Sequence, residues 1–132
     1  PYRYPGIAPF GENEASWDAA RVQAYLQLPV DWANKHGVPK NRLVATEFGC
    51  VRRWPDCARY LEDVLSAIEV DGVHWAFFSF RGEWDGFDYE LGAGKLPWQY
   101  WEAQEKGLPY ELKRGPNEAF EPILRRLRGV SQ

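Results

Sequence analysis

Two stretches decide the fold of this chain, Leu43-Val-Ala-Thr-Glu-Phe-Gly49 and Val73-His-Trp-Ala-Phe-Phe-Ser-Phe80. Each is a short apolar run without helical period, the pattern of a strand buried on both faces in a parallel sheet. Between them Tyr60, Leu61, Val64, Leu65 and Ile68 recur at helical spacing over 56–70, with Gly72 in the capping position. Strand, helix, strand predicts an α/β crossover with parallel strands over 42–48 and 73–80. Two such strands leave both sheet edges open, so the reading also expects further strands from elsewhere.

Outward from this unit, three prolines among the first nine residues predict a loop over 1–11. Ser16 reads as the N-cap of a helix that places Trp17, Ala20, Ala24 and Leu28 on one face. Pro29 starts a second helical piece through His36, which Gly37 and Pro39 end. On the C-terminal side, 81–96 carries four glycines among acidic and aromatic residues, the character of a functional loop. A short helix is expected over 97–106. A last one is expected near 117–128, regular from about Pro122, with Phe120, Ile123, Leu124 and Leu127 inward. There is no internal repeat, so the 132 residues form one domain or part of one.

Composition narrows the function classes. A net charge of −3 with no Lys/Arg-rich run argues against a nucleic-acid or anionic-membrane surface. The longest apolar run is far short of the ~20 residues needed to cross a bilayer. Trp, Tyr and Phe make up 16% of the chain, which suits either a large core or ligands with apolar faces, sugars among them. Cys50 and Cys57 fit no paired zinc or redox pattern. They either close a small disulfide loop in an exported protein or remain two thiols, and the compartment stays open. His36 and His74 have no ligand partner at a suitable spacing, so neither a metal nor a cofactor is expected. The lack of any methionine is read as a sign of missing upstream sequence.

The residue with the most chemical promise is Glu47, which ends its strand where active sites gather in parallel sheets. Strict alternation sets Leu43, Ala45 and Glu47 on one side and Val44, Thr46 and Phe48 on the other. From the residues alone Glu47 is either a catalytic carboxylate or a strand-end acid paired with a nearby arginine. Arg52 and Arg53 are the near candidates, placed to flank it and lower its pKa. Asn13-Glu14 is expected in a polar loop just before a helix, with no strand leading into it.

Asn34-Lys-His-Gly-Val-Pro39, Ala45-Thr-Glu-Phe-Gly49, Tyr60-Leu-Glu-Asp-Val-Leu65, Gly72-Val-His-Trp-Ala-Phe-Phe-Ser-Phe80 and Trp84-Asp-Gly-Phe-Asp-Tyr-Glu-Leu-Gly92 follow one another in order. The series resembles glycoside hydrolase family five, in the clan of retaining (β/α)8-barrel enzymes. The resemblance implies the C-terminal part of such a barrel, from sixth loop to eighth helix. It implies double displacement with Glu47 as nucleophile and an acid/base glutamate upstream, on a glucan-like polysaccharide or oligosaccharide. It places Phe78 where the family usually has a tryptophan under the cleaved sugar. Trp84 and Asp85 fall in the loop that rims the cleft, and Tyr4 and Trp17, with Tyr2, fall near an aromatic groove. Two other readings stand beside it. One is a carbohydrate-binding or catalytically silent barrel. The other is one part of a split barrel that associates with an N-terminal partner or with itself.

Overall fold

A computed structural model describes residues 3–81 and 85–129. The chain opens with an antiparallel hairpin, β1 (Gly6–Phe10) and β2 (Asn13–Trp17), paired from Gly6 opposite Trp17 to Phe10 opposite Asn13. Helix α1 (Ala19–Lys35) leads through a 3₁₀ turn to β3 (Val44–Ala45), and α2 (Cys57–Val70) returns the chain to β4 (His74–Trp75). Helices α3 (Trp98–Glu105) and α4 (Glu121–Leu127) follow. No helix among the described residues is long and apolar enough to cross a membrane.

The expected barrel segment with parallel strands over 42–48 and 73–80 is not what the chain forms. The described residues hold two separate two-stranded sheets, the hairpin and a parallel β3–β4 pair of two residues per strand. Two physical reasons account for the difference. The apolar run of β4 is not buried on both sides: Val73, Trp75 and Phe77 are half-buried, whereas Phe78 and Phe80 are 40% and 60% exposed. The ladder also breaks early. His74 N–H donates to the Leu43 carbonyl at 3.1 Å and Ala76 N–H to Ala45 at 2.8 Å, but Phe78 N–H reaches Phe48 at 2.9 Å. A regular parallel ladder would put that bond on Glu47, so one extra residue is accommodated between Ala45 and Phe48, as in a bulge.

The N-terminal expectations change for local reasons. Pro9 is compatible with β1 because a two-stranded hairpin consists of edge strands, where a missing N–H is tolerated. Gly11 turns the hairpin at φ 63°, in the left-handed region that favours glycine. Once β2 takes Ser16 and Trp17, the N-cap passes to Asp18, whose Oδ1 accepts from Arg21 N–H at 2.8 Å. Pro29 does not split the helix but lies inside α1. Asn13-Glu14, expected in a loop, is in β2 and exposed.

Helix α2 is the spine of the core. Cys57, Leu61, Val64, Leu65 and Ile68 are all buried, the stripe that its period predicts. On one side they meet Val22 of α1, and on the other Phe120 and Ile123 at the start of α4. The outer seam between α2 and α4 is ionic. Arg126 reaches Glu62 at 2.8 Å and Glu69 at 2.8 Å, and Arg125 also pairs with Glu62. The hydrogen bond from Arg126 holds the Glu62 carboxyl below its ordinary value of 4.5. A depressed carboxyl pKa stabilises the fold fully above the unfolded value, and that stabilisation fades as pH falls through the folded one. The difference in melting temperature between the wild type and Arg126→Gln is therefore expected to be largest above pH ~5 and to shrink on acidification below it. A difference that does not change with pH would remove the seam from the stability of the fold.

Candidate functional site

Glu47 lies two residues beyond β3 and is exposed. It lines a cavity of about 350 Å³ together with Trp17 and Tyr25 from the hairpin and α1, Phe48, and Tyr60 of α2. The bulge produces this placement: Thr46 and Glu47 are exposed in succession, while Phe48 turns inward onto both core clusters. Glu47 forms no hydrogen bond or ion pair with any described residue.

The arginines expected beside Glu47 are engaged elsewhere. Arg53 Nη1 lies 2.7 Å from Asp85 Oδ2, and Arg52 Nη2 lies 3.2 Å from the same oxygen. The Arg52 side chain is fully buried and also donates to the backbone carbonyls of Asp85, Gly92 and Gly94. Asp85 thus anchors the long loop to the segment that follows Glu47. The other acids of that loop among the described residues are similarly held, Asp88 by Arg114 and Glu90 by Arg81. The Arg81 hydrogen bond keeps Glu90 below the ordinary carboxylate range. Trp84 lies outside the described residues, as does Tyr2.

Gly49 explains the end of the Glu-Phe-Gly sequence. A β-carbon there would sit 2.3 Å from the Phe78 carbonyl oxygen and 2.8 Å from the Tyr89 hydroxyl, so only glycine lets the two chain segments pass. The Tyr89 hydroxyl accepts from Cys50 N–H and donates to the Cys50 carbonyl, both at 2.9 Å. Burial pushes that phenol up to about 12. Tyr89 thereby fixes the chain immediately after the Glu47 segment.

Cys50 and Cys57 are joined in a disulfide with their Cα atoms 5.7 Å apart. The loop they close is one wall of a second cavity of about 280 Å³, which also takes Tyr4, Trp17, Trp54 and Tyr60. Tyr4 donates its hydroxyl to Asp63 at 2.6 Å, and burial together with that carboxylate raises its pKa well beyond the usual range. Arg3 grips Asp56 through Nε at 2.6 Å and Nη2 at 3.1 Å, lowering the Asp56 pKa. The two cavities share Trp17, Gly49 and Tyr60 as lining residues.

The structure therefore brings Glu47, Trp17 and Tyr4 around adjoining cavities. Phe78 packs edge-on against Phe87 with ring centres 5.5 Å apart and lines neither cavity. Trp54, Tyr25 and Tyr60 were not singled out by sequence reasoning as site residues. Trp54 carried one signal, its position between the two cysteines. Among the described residues no group of three His, Cys, Asp or Glu is placed to hold a metal ion. His36 instead stacks on Trp32 with ring centres 4.4 Å apart. Set against protein-family models, curated proteins and solved structures, the chain finds no match.

Proposed function

We propose that the chain carries the nucleophile of a retaining β-glycosidase, with Glu47 attacking the anomeric carbon of a glucan-like sugar. The observation that carries this reading is an exposed carboxylate, unpaired among the described residues, in a cavity walled by Trp17 and Tyr25. An acid placed for structure would be expected to hold an arginine, and both neighbouring arginines hold Asp85 instead. In the first step a Glu47 carboxylate oxygen forms a bond to the anomeric carbon. The glycosidic C–O bond breaks with its electron pair on the leaving oxygen, and water later displaces the glycosyl ester. Protonation of the leaving oxygen requires a second carboxyl group, to which no residue is assigned.

The experiment removes that requirement. A 2,4-dinitrophenyl 2-deoxy-2-fluoro-β-glucoside has a leaving group that needs no proton, and its fluorine slows hydrolysis of the ester. Incubation should add one fluoroglucosyl mass to the peptide that contains Glu47 and nothing to Glu47→Gln. An unlabelled wild-type chain would sink the nucleophile assignment.

A second reading, sugar binding without hydrolysis, is favoured by a different observation. Among the described residues Glu47 and Asp56 are the acids lining the two cavities, and Asp56 is held by Arg3. Oligosaccharide binding with no covalent label would select it.

A further inference from the structure

We infer that Trp54, presented by the Cys50–Cys57 loop, is the wall of a second pyranose subsite continuous with the Glu47 cavity, so that the ligand is an oligosaccharide rather than a single sugar. The inference extends the proposed function and rests on its reading of Glu47 for the direction of the groove. Trp54 is 43% exposed, although its neighbours Cys50 and Cys57 are buried. Its ring is thus held at the surface from a fixed base. The loop is folded on itself: Trp54 N–H donates to the Val51 carbonyl at 2.8 Å, and Cys57 N–H donates to the Trp54 carbonyl at 3.1 Å. A rigid aromatic presented in this way loses little conformational freedom on binding.

The lining of the cavity selects the ligand class. Trp54, Trp17, Tyr4 and Tyr60 offer apolar ring faces, while Arg3 and Asp56 put charged hydrogen-bonding groups among them. A pyranose matches this arrangement, with C–H groups on its faces and hydroxyls around its edge. A flat polyanion would meet the Asp56 carboxylate, and a purely apolar ligand would cut the Arg3–Asp56 ion pair off from water. Size extends the argument to more than one ring. The cavities, about 280 and 350 Å³, meet at Trp17, Gly49 and Tyr60, and each alone is near the lower end of the roughly 300–1,000 Å³ of small-molecule sites.

The test is calorimetric titration of the chain with β-1,4-linked glucotetraose, β-1,3-linked glucotetraose and β-1,4-linked mannotetraose, run beside the Glu47 labelling rate with the monosaccharide reagent. At least one tetraose should bind. Trp54→Ala should weaken that binding about tenfold or more, and Trp54→Phe should recover much of it. A Cys50→Ser/Cys57→Ser variant keeps Trp54 but frees the loop, and should also bind the tetraose more weakly. Failure of all three tetraoses to bind the wild type, or equal affinity in wild type and Trp54→Ala, overturns the subsite. Tetraose binding that depends on Trp54, with no label on Glu47, overturns the nucleophile assignment and leaves the subsite standing.

Discussion

Gly49→Ala is expected to cost roughly 3 kcal/mol or more of stability, the upper range for an overpacked contact, and to leave much of the chain unfolded in mild denaturant. The added methyl would lie 2.3 Å from the Phe78 carbonyl oxygen and 2.8 Å from the Tyr89 hydroxyl. Backbone on one side and a buried phenol on the other leave no flexible atom to yield. Relief would have to come from separating the segment after Glu47 from the end of the β4 segment, which also opens the paired bonds between Tyr89 and Cys50. Urea titration followed by tryptophan fluorescence reads the effect. An unchanged midpoint would mean that the two segments do not pass each other as closely as described.

The second large effect is expected at Arg52. Its side chain is fully buried, and its guanidinium joins the carboxylate and carbonyl of Asp85 to the carbonyls of Gly92 and Gly94. Arg52→Leu fills similar space but supplies no donor, which leaves several acceptors unsatisfied at about 1–3 kcal/mol each. A total loss of about 3–5 kcal/mol is expected, as for breaking a buried ion pair. Arg53 keeps Asp85 partnered, so the damage should concentrate at the loop carbonyls. Hydrogen exchange should show faster amide exchange over 85–96 in the variant, with α2 less affected. Arg52→Lys should recover only part of the loss, because an ammonium lacks the planar fork that spans these acceptors. Equal stability of Arg52→Leu and wild type would remove the anchoring role.

Much of the helical framework was legible. The period of Leu61, Val64, Leu65 and Ile68 gave α2, and Gly37 with Pro39 marked the end of α1. Phe120 and Ile123 are buried at the start of α4, as their spacing suggested, whereas Leu127, expected on the same inward stripe, is largely exposed. The sheets were less legible, because an apolar run such as Val73–Phe80 has the same composition whether one face or both are covered. The hairpin was hidden by Pro9, whose compatibility with an edge strand depends on which neighbours are present. Of the site, Glu47 and Trp17 could be singled out from sequence, but Trp54 could not. Its exposure depends on how the Cys50–Cys57 loop folds over its buried cysteines, and the arginines expected beside Glu47 are claimed by Asp85, 32 residues from Arg53. Competition of that kind is decided in three dimensions and leaves no local pattern.

The extra residue between Ala45 and Phe48 has a consequence for how this segment tolerates change. In an uninterrupted strand of the same length, Glu47 would turn toward the helices and Phe48 toward water, exchanging a solvated charge for a solvated ring. The side on which the carboxylate emerges is therefore governed by the two residues that stand between Ala45 and Phe48 where the facing strand has one between Ala76 and Phe78, independently of which residue stands at 46. Replacement of Thr46 leaves that count unchanged, whereas an insertion or deletion there alters it. At this point chain length acts as the specificity element, and the identity of the side chain is secondary.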